Sequence, residues 1–260
     1  MSAAPTLQVQ GLTRHFGGVK ALHKLDLTVH AGECLAMIGP NGAGKSTCFA
    51  CLAGQQVADA GQVLWRGHSL LGLSPAQRLR LGVTRTFQVA QLFDGLSVLQ
   101  NVQLVLTRDR LSWLDRLARR HVDRTQALLS QVGLLDARRL WAGQLAYGQR
   151  KRLELAMALA ALPMDASGCT EGLLLLDEPA AGLSQVERAD MMGLVRSLAR
   201  QGATVLYTEH HMDAVLGVAD RVLVLMRGER VVLDTPEEVM RHARVQSEYL
   251  GTSPAEGGHA

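Results

Sequence analysis

Gly39–Thr47 reads GPNGAGKST, and this stretch decides the fold. Gly39 and Gly44 are spaced as in a phosphate-binding loop, and Lys45, Ser46 and Thr47 close the pattern. The residues between, Pro40, Asn41, Gly42 and Ala43, form the turn itself. Glycines let the backbone curl so that several N–H groups face one phosphate chain. Lys45 brings a point charge to the β- and γ-phosphates, and the Ser46 hydroxyl can ligate Mg²⁺. The flanks agree. Cys34–Ile38 (CLAMI) is a short apolar run suited to a buried parallel strand. From Ser46 onward the chain reads as a helix whose N-terminus faces the anion. A chance Gly-rich turn would not unite strand, loop, Lys-Ser-Thr and helix.

At 260 residues the chain is one large domain or two small ones. With 47% apolar and 20% charged residues it has the composition of a soluble globular protein. A net charge of +3 gives no ground for nucleic-acid binding, and none is expected. Arg108–Arg124 is locally basic and reads as a solvated helical face, with a membrane-side or partner contact as the alternative. No apolar run approaches the ~20 residues of a membrane span. The opening MSAAPTLQVQ lacks the charged and apolar regions of a signal peptide, so the expected location is cytoplasmic. Cys48 and Cys51 form a CxxC within the helix after the phosphate loop, and Cys34 and Cys169 supply no second ligand pair. Small core residues are the better reading than a redox or metal site.

Around the loop, Leu7–Gln10 and Leu25–Val29 read as strands. Between them Phe16 precedes a Gly17-Gly18 turn; such an aromatic is either a core residue or a stacking platform for a nucleotide base. Gln62–Trp65 and Val83–Phe87 read as short strands, the second running into Gln88. From Ser97, a suitable N-cap, to about Gly133 the apolar spacing is helical, and no strand is expected between Gln88 and Leu173. Leu145–Arg152 (LAYGQRKR) leads into an apolar helix, Leu153–Leu162, and Pro163–Gly172 is a polar loop. Leu173–Leu176 is a strand ending in Asp177-Glu178-Pro179, and Val186–Gln201 is an amphipathic helix. Thr204–Tyr207 leads into Thr208-Glu209-His210-His211. A hairpin turns at Arg227-Gly228, Pro236–Arg244 is a short helix, and the chain after Leu250 is a mobile tail.

Strands alternating with helices predict a parallel α/β core. Ligands of such sheets bind at the carboxyl ends of the strands. The loop after Ile38, Gln88, Asp177-Glu178 and His210 all lie at such ends, so residues scattered along the sequence converge on one edge.

With these motifs in this order, the sequence resembles an ABC-type ATPase, the nucleotide-binding subunit of a membrane transporter, from about Leu7 to Gly251. The resemblance implies a RecA-like P-loop NTPase core with an antiparallel β subdomain and an inserted helical subdomain. The single domain would span 5–251, with core and β subdomain at about 5–88 and 163–235, the helical subdomain at about 89–162, and the tail at 252–260. Phe16 matches the base-stacking aromatic, Gly39–Thr47 the phosphate loop and Gln88 the coupling glutamine. Leu145, Ala146, Tyr147, Gly148 and Gln149 match the signature loop, which in the family completes the ATP site of a second copy in trans. Asp177 matches the Mg²⁺ strand end, Glu178 the catalytic glutamate, Ala181–Ser184 the dimer-contact loop and His210 the switch histidine. Ser46, Gln88 and Asp177 would hold the metal; the catalytic set would be Glu178, acting on water, His210, holding the γ-phosphate, and Gln88, which also couples the core to the helical insert.

Within the family the chain is most similar to ATPases of importers for branched-chain amino acids and related amides of the urea type. Thr86-Phe87-Gln88, the LAYGQ signature, Pro179–Leu183 (PAAGL) and Glu248–Gly251 (EYLG) carry that similarity. Implied partners are two transmembrane permease subunits, a second ABC ATPase (itself or a paralogue) and, indirectly, an extracytoplasmic solute-binding protein. The expected place is the cytoplasmic face of the inner membrane. A second reading is a soluble ABC ATPase serving a non-membrane client such as an iron–sulfur scaffold; the repair class is disfavoured because no sustained heptads occur. Three departures stand out. Ala146 and Tyr147 replace the serine and glycine of the commonest signature, removing a hydroxyl that would donate to the γ-phosphate while Gly148 and the helix N-terminus remain. The Pro163–Gly172 loop is longer than usual, and His211 stands where an aspartate commonly follows the switch histidine.

Overall fold

Two kinds of apolar pattern build two kinds of sheet in the computed structural model, which describes residues 6–86, 92–107, 121–163, 172–210 and 212–250. The first kind alternates. Leu7–Phe16 (β1) and Val19–Val29 (β2) form an antiparallel hairpin, and the next strands are Cys34–Ile38 (β3), Ala60–Trp65 (β4) and His68–Ser69 (β5). An antiparallel sheet in the order β2-β1-β4-β5 results. The second kind is continuous. All five residues of β3 are buried, as are those of Leu173–Asp177 (β7) and Thr204–Thr208 (β8), as expected of parallel strands covered on both faces. Together with Val83–Arg85 (β6), Arg221–Met226 (β9) and Glu229–Asp234 (β10), they form a sheet in the order β10-β9-β3-β8-β7-β6. Its strands are parallel except β10, which pairs antiparallel at the edge.

The period of two splits this sheet between two cores. Leu35, Met37, Leu173, Leu175, Leu206 and Leu223 face the antiparallel sheet. Ala36, Ile38, Leu174, Leu176, Val205 and Tyr207 face the helices on the other side. Lys45–Ala53 (α1) is packed in the first core with Cys48, Phe49, Cys51 and Leu52 buried, which explains its all-round apolar character. Its far end is held by Arg78 of Pro75–Arg80 (α2), a buried guanidinium that donates to the Cys51 carbonyl and, at 2.7 Å, to that of Leu52. A cation at a helix C-terminus complements its dipole. Val98–Leu106 (α3), Val122–Gln131 (α4) and Tyr147–Ala161 (α5) pack on one another as a helical layer. Gln185–Arg200 (α6), Met212–Leu216 (α7) and Pro236–Arg241 (α8) complete the described α-helices of more than one turn.

Several expected boundaries move. β1 and β2 extend to the Gly17-Gly18 turn, because register shifts after Val9 and Leu12 break the alternation without ending the strands. α5 starts at Tyr147 and not at Leu153; its Gln-Arg-Lys-Arg turn is polar yet helical. The helix begun at Pro236 stops at Arg241, with His242 extended before another turn at Ala243–Val245. Cys48 and Cys51 are buried thiols, and burial pushes both upward in pKa. Most of Arg108–Arg124 and of the Pro163–Gly172 loop, together with Cys169, His211 and the tail, lies outside the described residues.

Candidate nucleotide site

The phosphate loop is shaped by what surrounds it. A Cβ on Gly39 (φ 149°) would lie 2.0 Å from the Leu225 carbonyl oxygen, and one on Gly44 (φ 106°) would lie 2.3 Å from that of Ala21. Only glycine fits either place. Gly44 caps α1 without a side-chain hydrogen bond, so the first amides of that helix keep no internal acceptor. Lys45 is buried and its Nζ donates to the carbonyls of Gly39 (2.6 Å) and Pro40 (3.1 Å). Burial lowers the Lys45 pKa, against the opposing pull of the Glu178 and Asp177 carboxylates. The Tyr249 hydroxyl hydrogen-bonds the Gly39 backbone, and burial raises its pKa.

Across from the loop, the ends of β6, β7 and β8 meet. Parallel register sets Arg85 beside Leu175 and Asp177 beside Thr208. Asp177 is buried; its Oδ2 pairs with Arg85 at 2.6 Å and its Oδ1 accepts from Thr208 at 2.8 Å. The Thr208 hydroxyl also accepts the Glu178 N–H at 3.0 Å. Glu178 takes a left-handed backbone (φ 49°), rare for a residue with a side chain. His210 Nε2 stands 2.9 Å from Glu178 Oε1.

Between these groups lies a cleft of about 440 Å³. Asn41–Thr47 form its floor, Glu178 and His210 one wall, and Val19, Lys20, Ala21 and Arg227 the other. It concentrates loop amides and the cations Lys20, Lys45 and Arg227 against one carboxylate–imidazole pair, an arrangement suited to a polyphosphate. Phe16 is 44% exposed and does not itself line the cleft, though it pairs in register with Val19, which does; the Arg14 guanidinium lies 4.7 Å from its ring centroid. Gln88 falls outside the described residues.

Leu145, Ala146, Tyr147, Gly148 and Gln149 do not line this cleft. They open α5, with Ala146 as a cap lacking a side-chain oxygen and Gln149 Oε1 accepting the Ala146 N–H at 3.1 Å. Tyr147 is half exposed, and its hydroxyl donates to the Ala181 carbonyl at 3.3 Å. A Cβ on Gly182 (φ 76°) would stand 3.0 Å from the Tyr147 ring. Tyr147, one of the two replaced signature residues, therefore lies on the loop that follows Glu178 in the same chain.

Sequence reasoning missed Arg85, Thr208 and Glu209. Each sits at the carboxyl end of a strand, and that position is the only signal the sequence carries for them.

The family described as ABC transporter matches residues 22–181. The chain belongs to the ABC transporter family. The high-affinity branched-chain amino acid transport ATP-binding protein LivG of Escherichia coli K12 is 36% identical over 95% of this chain and 98% of its own. BraF of Pseudomonas aeruginosa, with the same description, is 35% identical over 95% of this chain and 98% of its own. A solved ATP-binding cassette of an ABC transporter in its ADP conformation superposes with TM-score 0.82 at 26% identity, over 96% of this chain and 100% of that one. This ABC protein is thus a P-loop ATPase with parallel and antiparallel sheets, as the sequence predicted. Among its described residues no helix is long and apolar enough to cross a membrane.

Proposed function

We propose that this ABC ATPase powers an importer of branched-chain amino acids or a related amino acid or amide. The observation that carries the reading is end-to-end similarity to LivG and BraF combined with the cleft between Lys45, Glu178 and His210. ATP lies with its phosphates on the amides of Gly39–Thr47 and on Lys45, and its base toward Phe16. Glu178 orients or deprotonates the attacking water, and His210 holds the γ-phosphate while pairing with Glu178. Core and β parts at about 5–88 and 163–235 carry this half of the site, and the helical part at about 89–162 carries Leu145–Gln149 to a second ATPase. ATP binding favours the closed pair, and hydrolysis releases it.

Mg²⁺ fits the oxygen donors present. It keeps several waters and few protein ligands, so one hydroxyl and one carboxylate beside the phosphates suffice. Ser46 is exposed on the loop and free to supply the direct oxygen, with Gln88 as its partner. Both Asp177 oxygens are already engaged by Arg85 and Thr208, which suits contact through water. The ion, when bound, neutralises charge developing on the phosphates.

The test is to recover a tagged Glu178→Gln chain from detergent-solubilised native membranes and identify its partners by mass spectrometry. Two multi-span permeases with a second ATPase are expected, and the associated solute-binding protein names the cargo. Only soluble partners, found reproducibly, would sink the transport reading in favour of a soluble client.

A further inference from the structure

Glu209 follows Thr208 at the end of β8 and is 1% exposed. Because Asp177 lies beside Thr208, the next residues, Glu178 and Glu209, leave neighbouring strands side by side. They then diverge. Glu178 stays at the cleft against His210. The Glu209 carboxylate turns beneath the loops: its Oε1 accepts the Ala180 N–H at 3.0 Å, and its Oε2 accepts the His210 N–H at 3.2 Å. A carboxylate withdrawn from water is costly unless donors satisfy it. Both of these donors belong to the segments that carry Glu178 and His210.

The backbone beside it needs such support. Glu178 has φ 49°, a conformation that persists only when surrounding contacts over-determine it. Thr208 holds the Glu178 amide, and Glu209 holds the amide two residues further on. The end of β8 thus fixes the loop after β7 at two points and its own histidine at a third.

We propose that Glu209 is a positioning residue of the ATPase, whose one carboxylate sets the spacing between Glu178 and His210 by binding the backbone of both loops. The inference rests on the roles given to Glu178 and His210 above. Glutamine at 209 keeps the shape and one acceptor oxygen but turns an amide toward the second N–H.

The experiment compares steady-state ATP hydrolysis by the full-length chain with that of Glu209→Gln, His210→Ala and the double variant. Misplacing a catalytic pair by a fraction of an ångström should lower kcat by roughly ten- to a hundredfold in Glu209→Gln, with KM for ATP within about twofold. Residues acting as one unit are non-additive, so Glu209→Gln should cost less in the His210→Ala background than in the wild-type chain. The imidazole ¹⁵N resonance of His210, read by NMR without turnover, should move in Glu209→Gln in the same sense as in Glu178→Gln. A wild-type kcat in Glu209→Gln, multiplicative losses in the double variant or an unmoved His210 signal would overturn the inference. Full turnover in Glu178→Gln would remove the site reading itself, and the same assay separates the two failures.

Discussion

Two helices of this ABC ATPase, those opened by the phosphate loop and by Leu145–Gln149, begin differently from most of the others. α2, α3, α6 and α8 start with Ser74, Ser97, Ser184 and Thr235, whose side-chain oxygens accept an amide of the first turn. α1 starts at Gly44 and α5 at Ala146, neither with a side-chain oxygen; α4, starting at His121, also lacks such a bond. At α1 the uncapped amides face into a cleft walled by Glu178, His210 and Arg227. At α5 they open beside a half-exposed Tyr147 that lies outside this cleft. Leaving out the cap leaves amides available to a ligand, and the surrounding walls decide whether one chain can use them alone. The α1 end is built to bind within its own chain. Under the proposed head-to-tail pair, the α5 end would be completed by a second surface.

The comparison can be broken at either end. The largest effect belongs to the wall of the α1 cleft: Glu178→Gln should lower ATP turnover by ~10²–10³-fold, as loss of a general base does, while nucleotide binding persists. Retained turnover in a coupled hydrolysis assay would take Glu178 out of the mechanism. Next, Lys45→Ala removes a buried charged donor worth about 1.5–3 kcal/mol, so ATP affinity should fall by at least roughly tenfold in calorimetric titration. An unchanged isotherm would leave the α1 amides to bind without it. At the other end, Gly182→Ala places a Cβ against the Tyr147 ring in a left-handed backbone. Denaturant unfolding should show a loss of about 1–2 kcal/mol, with the ATP titration of the isolated chain unaltered. A weakened titration would mean that the two ends are not separate. The smallest change is Ala146→Ser, which restores a capping hydroxyl to α5 and should raise stability by about 1 kcal/mol in thermal melts.

Why some residues were legible and others not follows from the range of their interactions. Lys45, Ser46 and the glycines belong to one local turn, so spacing along the chain reveals them. Asp177, Glu178 and His210 could be placed at strand ends because a leucine run or a β-rich run precedes each. The full length of β1 and β2 was hidden because bulges near Gly11 break the alternation that marks a strand. Arg85 could not be paired with Asp177 from sequence; 92 positions separate them, and only the order of β6 beside β7 joins them. Arg78 likewise carries no local signal of its role, yet it is buried against the end of α1.

By itself the sequence determined the phosphate loop, the alternating α/β plan and the set of acidic and imidazole groups at strand ends, because each is written in short-range spacing and period. The tertiary structure alone decided which of those ends are neighbours, that both oxygens of Asp177 are engaged, that Tyr147 lies on the loop after Glu178, and that Glu209 is buried beneath two loops. Those outcomes depend on strand order and parallel register, which arise from packing two cores against opposite faces of one sheet and have no local signature.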